Sequence, residues 1–238
     1  MSYTNLVKNL VADLKLVHVP IGIAYLEAPP EDVPHYSQAV PTACSFWQAA
    51  ESSIFFTTAS DHYNCPIGAI TQGFNLPGPV MDEAMSLIGR MGKLSYFEAA
   101  EAGNVPSVKK PHEVVVYGPL EAFGEVPVDL ALLIATPYQA MLISEASGAV
   151  AWKGQAPAAA LGRPACAVLP SALASNSAAL SVGCTGARTF GGIRENEMLL
   201  AIPGPALSDL ESHLPILLGA NMAMKEYYDS KRALFGAA

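Results

Sequence analysis

The residues best equipped for chemistry in this sequence are its four cysteines, Cys44, Cys65, Cys166 and Cys184. Thiolates are soft ligands that hold zinc, copper(I) or iron. Each cysteine stands beside alanine, proline or glycine, where backbone amides can come close to sulfur. There is no Cys-x-x-Cys pair, and His62 alone lies at ligand spacing from a cysteine. Structural zinc normally uses such knuckles, whereas an iron–sulfur cluster can gather thiolates from separate loops. The spacing therefore favours an iron–sulfur cluster or similar centre, with a redox or ligand-activating role, over zinc. Two other readings fit the same residues: four buried thiols acting as small hydrophobes, or reactive thiols that oxidise to disulfides.

A second group surrounds Cys184. The stretch from Ser181 to Gly192 carries four glycines together with Cys184 and Arg188. Arg188, with the amides of Gly183 and Gly186, is predicted to hold a small anion, either carboxylate or phosphate. The competing reading pairs Arg188 and Arg194 with Glu195 and Glu197. No Gly-Lys-Ser/Thr follows the glycines, so this is no phosphate loop. His62, three residues before Cys65, is the candidate proton carrier, or else part of a solvated turn. A Ser-His-Asp order, a nucleophile elbow and a His-Glu-x-x-His motif are all missing, so the residues do not decide whether the protein is an enzyme.

Positioning these groups falls to alternating helices and strands. Residues 4–17 read as an amphipathic helix with Leu6, Val7, Leu10, Val11 and Leu14 on one face. Strands are predicted near 20–26, 53–58, 114–117, 130–135, 178–182 and 198–202, with a further one near 149–152. Helices are predicted at 43–50, with Thr42 as its cap, then from 67, from 79 to about 91, and over 165–174. Residues 138–143 suit either state. Residues 156–162 read as loop with a helical turn, and 207–235 as one long helix or two broken near Pro215.

The order of these features repeats. Ala43-Cys44, a helix, a strand and Cys65 are echoed by Ala165-Cys166, a helix, a strand and Cys184. Leu76-Pro77-Gly78-Pro79 is likewise echoed by Ile202-Pro203-Gly204-Pro205. The offsets are 122, 119 and 126 residues. A tandem duplication follows as an expectation, with halves 1–112 and 113–238 related by a pseudo-twofold axis near which the thiols would meet. The predicted fold is α/β or α+β: two similar halves, each a small mixed sheet with helices, packed as one globule.

Composition sets the outer limits. The 238 residues are 51% hydrophobic and only 14% charged, against about 25% charged in typical domains. So little charge predicts a large core, a lined cavity or a homo-oligomer. With a net charge of −8 and no cluster of cations, nucleic-acid binding is not expected. The longest apolar run, 126–143, is interrupted by Asp129 and Pro137, which suits a membrane span poorly. The N-terminus lacks a signal-peptide pattern, so a cytoplasmic location is expected.

Certain of these residues resemble a known group. Ala165-Cys166 with Leu169-Pro170, then Ser181-Val182-Gly183-Cys184-Thr185-Gly186-Ala187-Arg188, then Glu195-Asn196-Glu197-Met198 through Ile202-Pro203-Gly204, look like the C-terminal signature of the uncharacterised ArCR family of prokaryotic proteins. Cys44 and Asn64-Cys65, with Gly68 and Gly73, resemble its N-terminal pattern. The resemblance implies a soluble prokaryotic protein with its cysteines at family-typical places, and no particular activity. Three functions remain in view: the thiolate-ligated centre with its adjacent anion turn, a cofactor-free small-acid-binding protein or sensor, and a haem protein using a cysteine or His62 as axial ligand.

Overall fold

The computed structural model describes residues 3–96, 104–124, 126–148, 158–159 and 163–235. Its centre is one twisted sheet. The strands are β1 (Ile21–Leu26), β2 (Phe55–Thr58), β3 (Val114–Pro119), β4 (Leu130–Ala135), β5 (Ala158–Ala159), β6 (Ala179–Ser181) and β7 (Met198–Pro203). They lie in the order β2-β3-β1-β4-β7-β6-β5. All neighbours are antiparallel except β5 and β6. The expected pair of small sheets is thus one continuous sheet, joined where Ile21 of β1 faces Leu132 of β4. Helices complete a mixed α/β globule: α1 (Thr4–Leu14), α2 (Ser45–Ala50), α3 (Pro66–Gln72), α4 (Gly78–Lys93), α5 (Pro137–Ala146), α6 (Val168–Ser175), α7 (Thr185–Phe190) and α8 (Leu207–Phe235).

Both faces of the sheet are covered, which explains the near-continuous apolar runs of β3, β4 and β7. On one face Ile23, Tyr25, Tyr117, Leu132 and Leu199 pack with Trp47 of α2, Ala69 of α3, Leu169 of α6 and Ala187 of α7. On the other, Ala24, Val116, Leu133 and Leu200 pack with Leu10 of α1, Ile143 of α5 and Leu210 of α8. Two buried layers on one sheet need a large share of apolar residues, which is the large core expected from the low charge.

Several local expectations change. Val11 is 39% exposed, because α1 docks through Leu6, Val7, Leu10 and Leu14 and turns that flank outward. The residue at the N-cap of α2 is Cys44, without a side-chain cap; the Thr42 hydroxyl reaches Ser45 Oγ at 3.3 Å instead. Residues 138–143 are helical: Thr136 and Gln139 form a capping box that starts α5 after Pro137. The Gly-rich turn contains a short helix, α7. Of 156–162, the two described residues are strand, and the strand expected at 149–152 lies outside the described residues. Pro215 does not break α8, since Leu210 and Leu214 on one side of it anchor the helix to the body.

Candidate functional site

The site is built where the two cysteine-bearing turns approach each other beneath α4. Cys65 immediately precedes α3, which starts with Pro66 at its first position. Cys184 immediately precedes α7. Both thiols are half-buried and both line a cavity of about 240 Å³. Its other walls are mostly apolar: Ile67 from α3, Leu87, Ile88 and Met91 from α4, and Pro41, Val105 and Pro164 from loops. Polar groups are few, namely Thr42, Asn64, Tyr96 and Arg163. Asn64 is held by donating to the Val40 carbonyl at 3.1 Å. The Arg163 guanidinium donates to the Tyr96 carbonyl and lies 3.6 Å over the Tyr96 ring, a cation–π contact that spans the cavity wall.

Two glycines let the surrounding elements close up. A Cβ on Gly68 would stand 2.7 Å from Ala43 Cβ and 2.9 Å from Cys65 Sγ. One on Gly191 would meet the Ala187 carbonyl at 2.7 Å and Cys44 Cβ at 3.2 Å. Glycine at these two places brings α3 and the end of α7 against the Ala43-Cys44 segment.

Cys44 and Cys166 are buried behind the cavity. Burial raises the Cys44 thiol well above its ordinary range, and Cys166, Cys184 and Cys65 push it further. Burial pushes Cys166 up to about 12, with Cys65 adding to the effect and a hydrogen bond with Thr71 opposing it. The sulfurs are near enough to feel one another's charge. Even so, among the described residues no three Cys, His, Asp or Glu side chains gather as a metal site. This overturns the expectation that Cys44, Cys65, Cys166 and Cys184 ligate a metal or an iron–sulfur cluster. The physical reason is the apolar setting: two of the four thiols are held protonated, and ionising one makes ionising the next costlier.

The remaining sequence-predicted residues are engaged locally. Arg188 donates to three backbone carbonyls, those of Val182, Arg194 and Glu197, and so staples the turn around α7. The Gly183 amide donates to Ser181 Oγ at 3.1 Å, while Gly186 lines the cavity. His62 is fully buried between Phe46 and Phe74, with ring centroids 4.8 and 5.1 Å away. Its Nε2 shares a hydrogen bond with Thr57 Oγ1 at 3.0 Å. Burial lowers its pKa to about 3, so the ring is neutral at neutral pH.

Sequence reading missed two features. In the core layer that holds Cys166 lies a buried aromatic and polar group, where the Tyr25 hydroxyl donates to Gln72 Oε1 at 2.7 Å. In the same region Trp47 Nε1, Gln72 Nε2, His112 Nε2, His62 Nδ1 and the Tyr117 hydroxyl find no hydrogen-bond partner among the described residues. The second feature is His18, which bridges Glu51 at 2.8 Å and Glu197 at 3.3 Å. The hydrogen bond to Glu51 is the main cause of its raised pKa. Residues this far apart in the chain carry no local signal of either arrangement.

A family model for the uncharacterised ArCR proteins matches residues 9–213. The chain belongs to that family. The matched region contains all four cysteines and every described wall of the cavity. No curated protein and no solved structure matches the chain. Among the described residues no helix is long and apolar enough to cross a membrane.

Proposed function

We propose that this ArCR protein binds a compact, largely apolar molecule carrying one acidic group. The observation that carries the reading is the cavity itself: apolar walls, a few convergent polar groups and two half-buried thiols. Ligand sites commonly combine these features. A dry cavity of about 150 Å³ takes benzene, so about 240 Å³ suits one ring with a short substituent. The apolar part would lie against Ile67, Leu87 and Ile88. The acidic group would turn toward Arg163, the cation of the wall. Cys65 and Cys184 would contact the bound molecule, which is where a thiol-sensitive response would originate.

Benzoate is a suitable probe. Ligand-observed NMR on the full chain is expected to show saturable binding. Leu87→Trp, which fills the cavity, should abolish that binding without lowering the melting temperature, and Arg163→Gln should weaken it about tenfold. Bound benzoate should also slow alkylation of Cys65 and Cys184 by iodoacetamide. Binding that does not saturate, or that survives Leu87→Trp unchanged, would exclude the reading.

The topology bears on the origin of the site. Strands β1, β3 and β2 on one side of the sheet's middle are matched in order by β4, β7 and β6 on the other. This ordering supports descent of the two strand sets from one duplicated unit, with the boundary between β3 and β4 rather than at residue 112, and with Cys65 and Cys184 at corresponding turns.

A further inference from the structure

The last helix outruns the body it packs on. Leu207, Leu210 and Leu214 of α8 are buried against the layer containing α1 and α5. From Met222 to Phe235 every described side chain is exposed. Fourteen residues of helix extend about 21 Å. This arm is nevertheless amphipathic. Met224, Tyr227, Tyr228, Leu234 and Phe235 fall on one face at helical spacing, with Lys231 as the single charge among them, while Lys225, Glu226, Asp229 and Arg232 fall on the other. Met224, Tyr228 and Phe235 also continue the line of Leu210 and Leu217, so the seam that docks the first half of the helix runs on uncovered. Tyr228 is 62% and Phe235 81% exposed.

A groove of about 750 Å³ lies beside the same helix, between the end of α1, the start of α5 and the middle of α8. Its lining mixes apolar side chains, among them Leu14, Leu142 and Leu218, with the polar Asp13, Lys15 and Gln139. Beyond Met222, which lines the groove, the arm runs away from it along the helix axis and cannot fold back into it. Charge is divided in the same way. The arm carries Lys225, Lys231 and Arg232 against Glu226 and Asp229, a net +1, which leaves −9 on the rest of a chain of net −8. Ahead of the arm, α8 bears Asp209 and Glu211 and no Lys or Arg.

We propose that α8 is an exchanged dimerisation arm: its last fourteen residues seat in the groove beside the middle of α8 in a second copy of this chain, and the partner's arm does the same in return. An antiparallel crossing near Met222 lays each arm back along the partner's helix. That puts Lys231 and Arg232 beside Asp209 and Glu211 at the start of the partner's α8, and the aromatic face of the arm over the apolar part of the groove, Leu14, Leu142 and Leu218. The closed two-fold exchange covers both unpartnered surfaces at once.

Sedimentation of the full chain tests this. At micromolar concentration a dimer is expected, twice the 24.9 kDa of one chain. Tyr227→Glu with Tyr228→Glu, changing only the arm, should give monomers that melt cooperatively. Gly219→Arg should do the same from the groove side, since no atom lies within 4 Å of a Cβ there. A crosslinking pair separates this geometry from arm-on-arm pairing: a chain with Tyr228→Cys should crosslink to one with Gly219→Cys and not to itself. A wild-type monomer, a dimer that withstands both sets of substitutions, or self-crosslinking of Tyr228→Cys would each overturn the proposal. So would a monomer that binds phosphatidylserine vesicles through the arm.

Discussion

His62 and His18 show how one residue type serves opposite ends in this protein. His62 is buried and its pKa falls to about 3. In the unfolded chain it titrates near 6.5. Between those values the unfolded state binds a proton that the folded state refuses, so stability drains as pH falls below about 6.5, by about 1.4 kcal/mol per unit once well below it. His18 runs the other way. Its pKa is raised, chiefly by Glu51, so its contribution is complete below 6.5 and disappears as pH rises through the folded value. Solvent reaches part of this ring, so roughly 0.5 kcal/mol is involved. Urea unfolding across pH 4 to 8 separates the two. His62→Gln should flatten the acid limb, and His18→Gln should flatten the decline above pH 6.5 while leaving the acid limb steep. Equal slopes in His62→Gln and wild type would mean that the buried ring does not govern acid stability. Composition gave no hint of this division, because both histidines owe their behaviour to neighbours distant in sequence or folded over them.

At the level of elements, the closest approach in the site is that of α3 to the Ala43-Cys44 segment. Gly68→Ala forces a Cβ to within 2.7 Å of Ala43 Cβ and 2.9 Å of Cys65 Sγ. Something must move, and overpacking of this kind costs about 1–3 kcal/mol. The expected result is a lower melting temperature together with faster iodoacetamide labelling of Cys65, as α3 shifts and carries its preceding residue outward. Labelling that accelerates equally at buried Cys44 would indicate general loosening instead. The elements themselves were largely readable. Short continuous apolar runs mark β1, β3, β4 and β7, and the leucine spacing marks α1. Short helices were harder. Residues 185–190 read as a turn because their glycines suggest one, yet the Arg188 staple and the packing of Ala187 hold them helical. The cysteine positions correctly drew attention to the turns that line the cavity. Sequence could not show that α4 would roof it, nor that burial would disqualify two of the four thiols as ligands.

Across the whole molecule, the sheet decides how the chain comes apart. Strands β1 and β4 come from different halves of the sequence and pair directly, Gly22 with Ala131 and Ile23 with Leu130. Each also has its second neighbour, β3 or β7, and each is buried on both faces. Parting β2-β3-β1 from β4-β7-β6 would therefore expose the middle of the sheet and both core layers together. The cost of that falls on both halves, so neither can open first at lower free energy. Native-state hydrogen exchange in increasing denaturant should show amides of β1, β3, β4 and β7 merging into one isotherm at the global unfolding free energy. The amides of β6, toward the sheet edge, should exchange earlier through local opening, and those of the last turns of α8 earlier still in dilute monomer. If amides from one half merge at a distinctly lower free energy than those from the other, the halves are separable folding units, and the central pairing of β1 with β4 is not what makes the molecule cooperative.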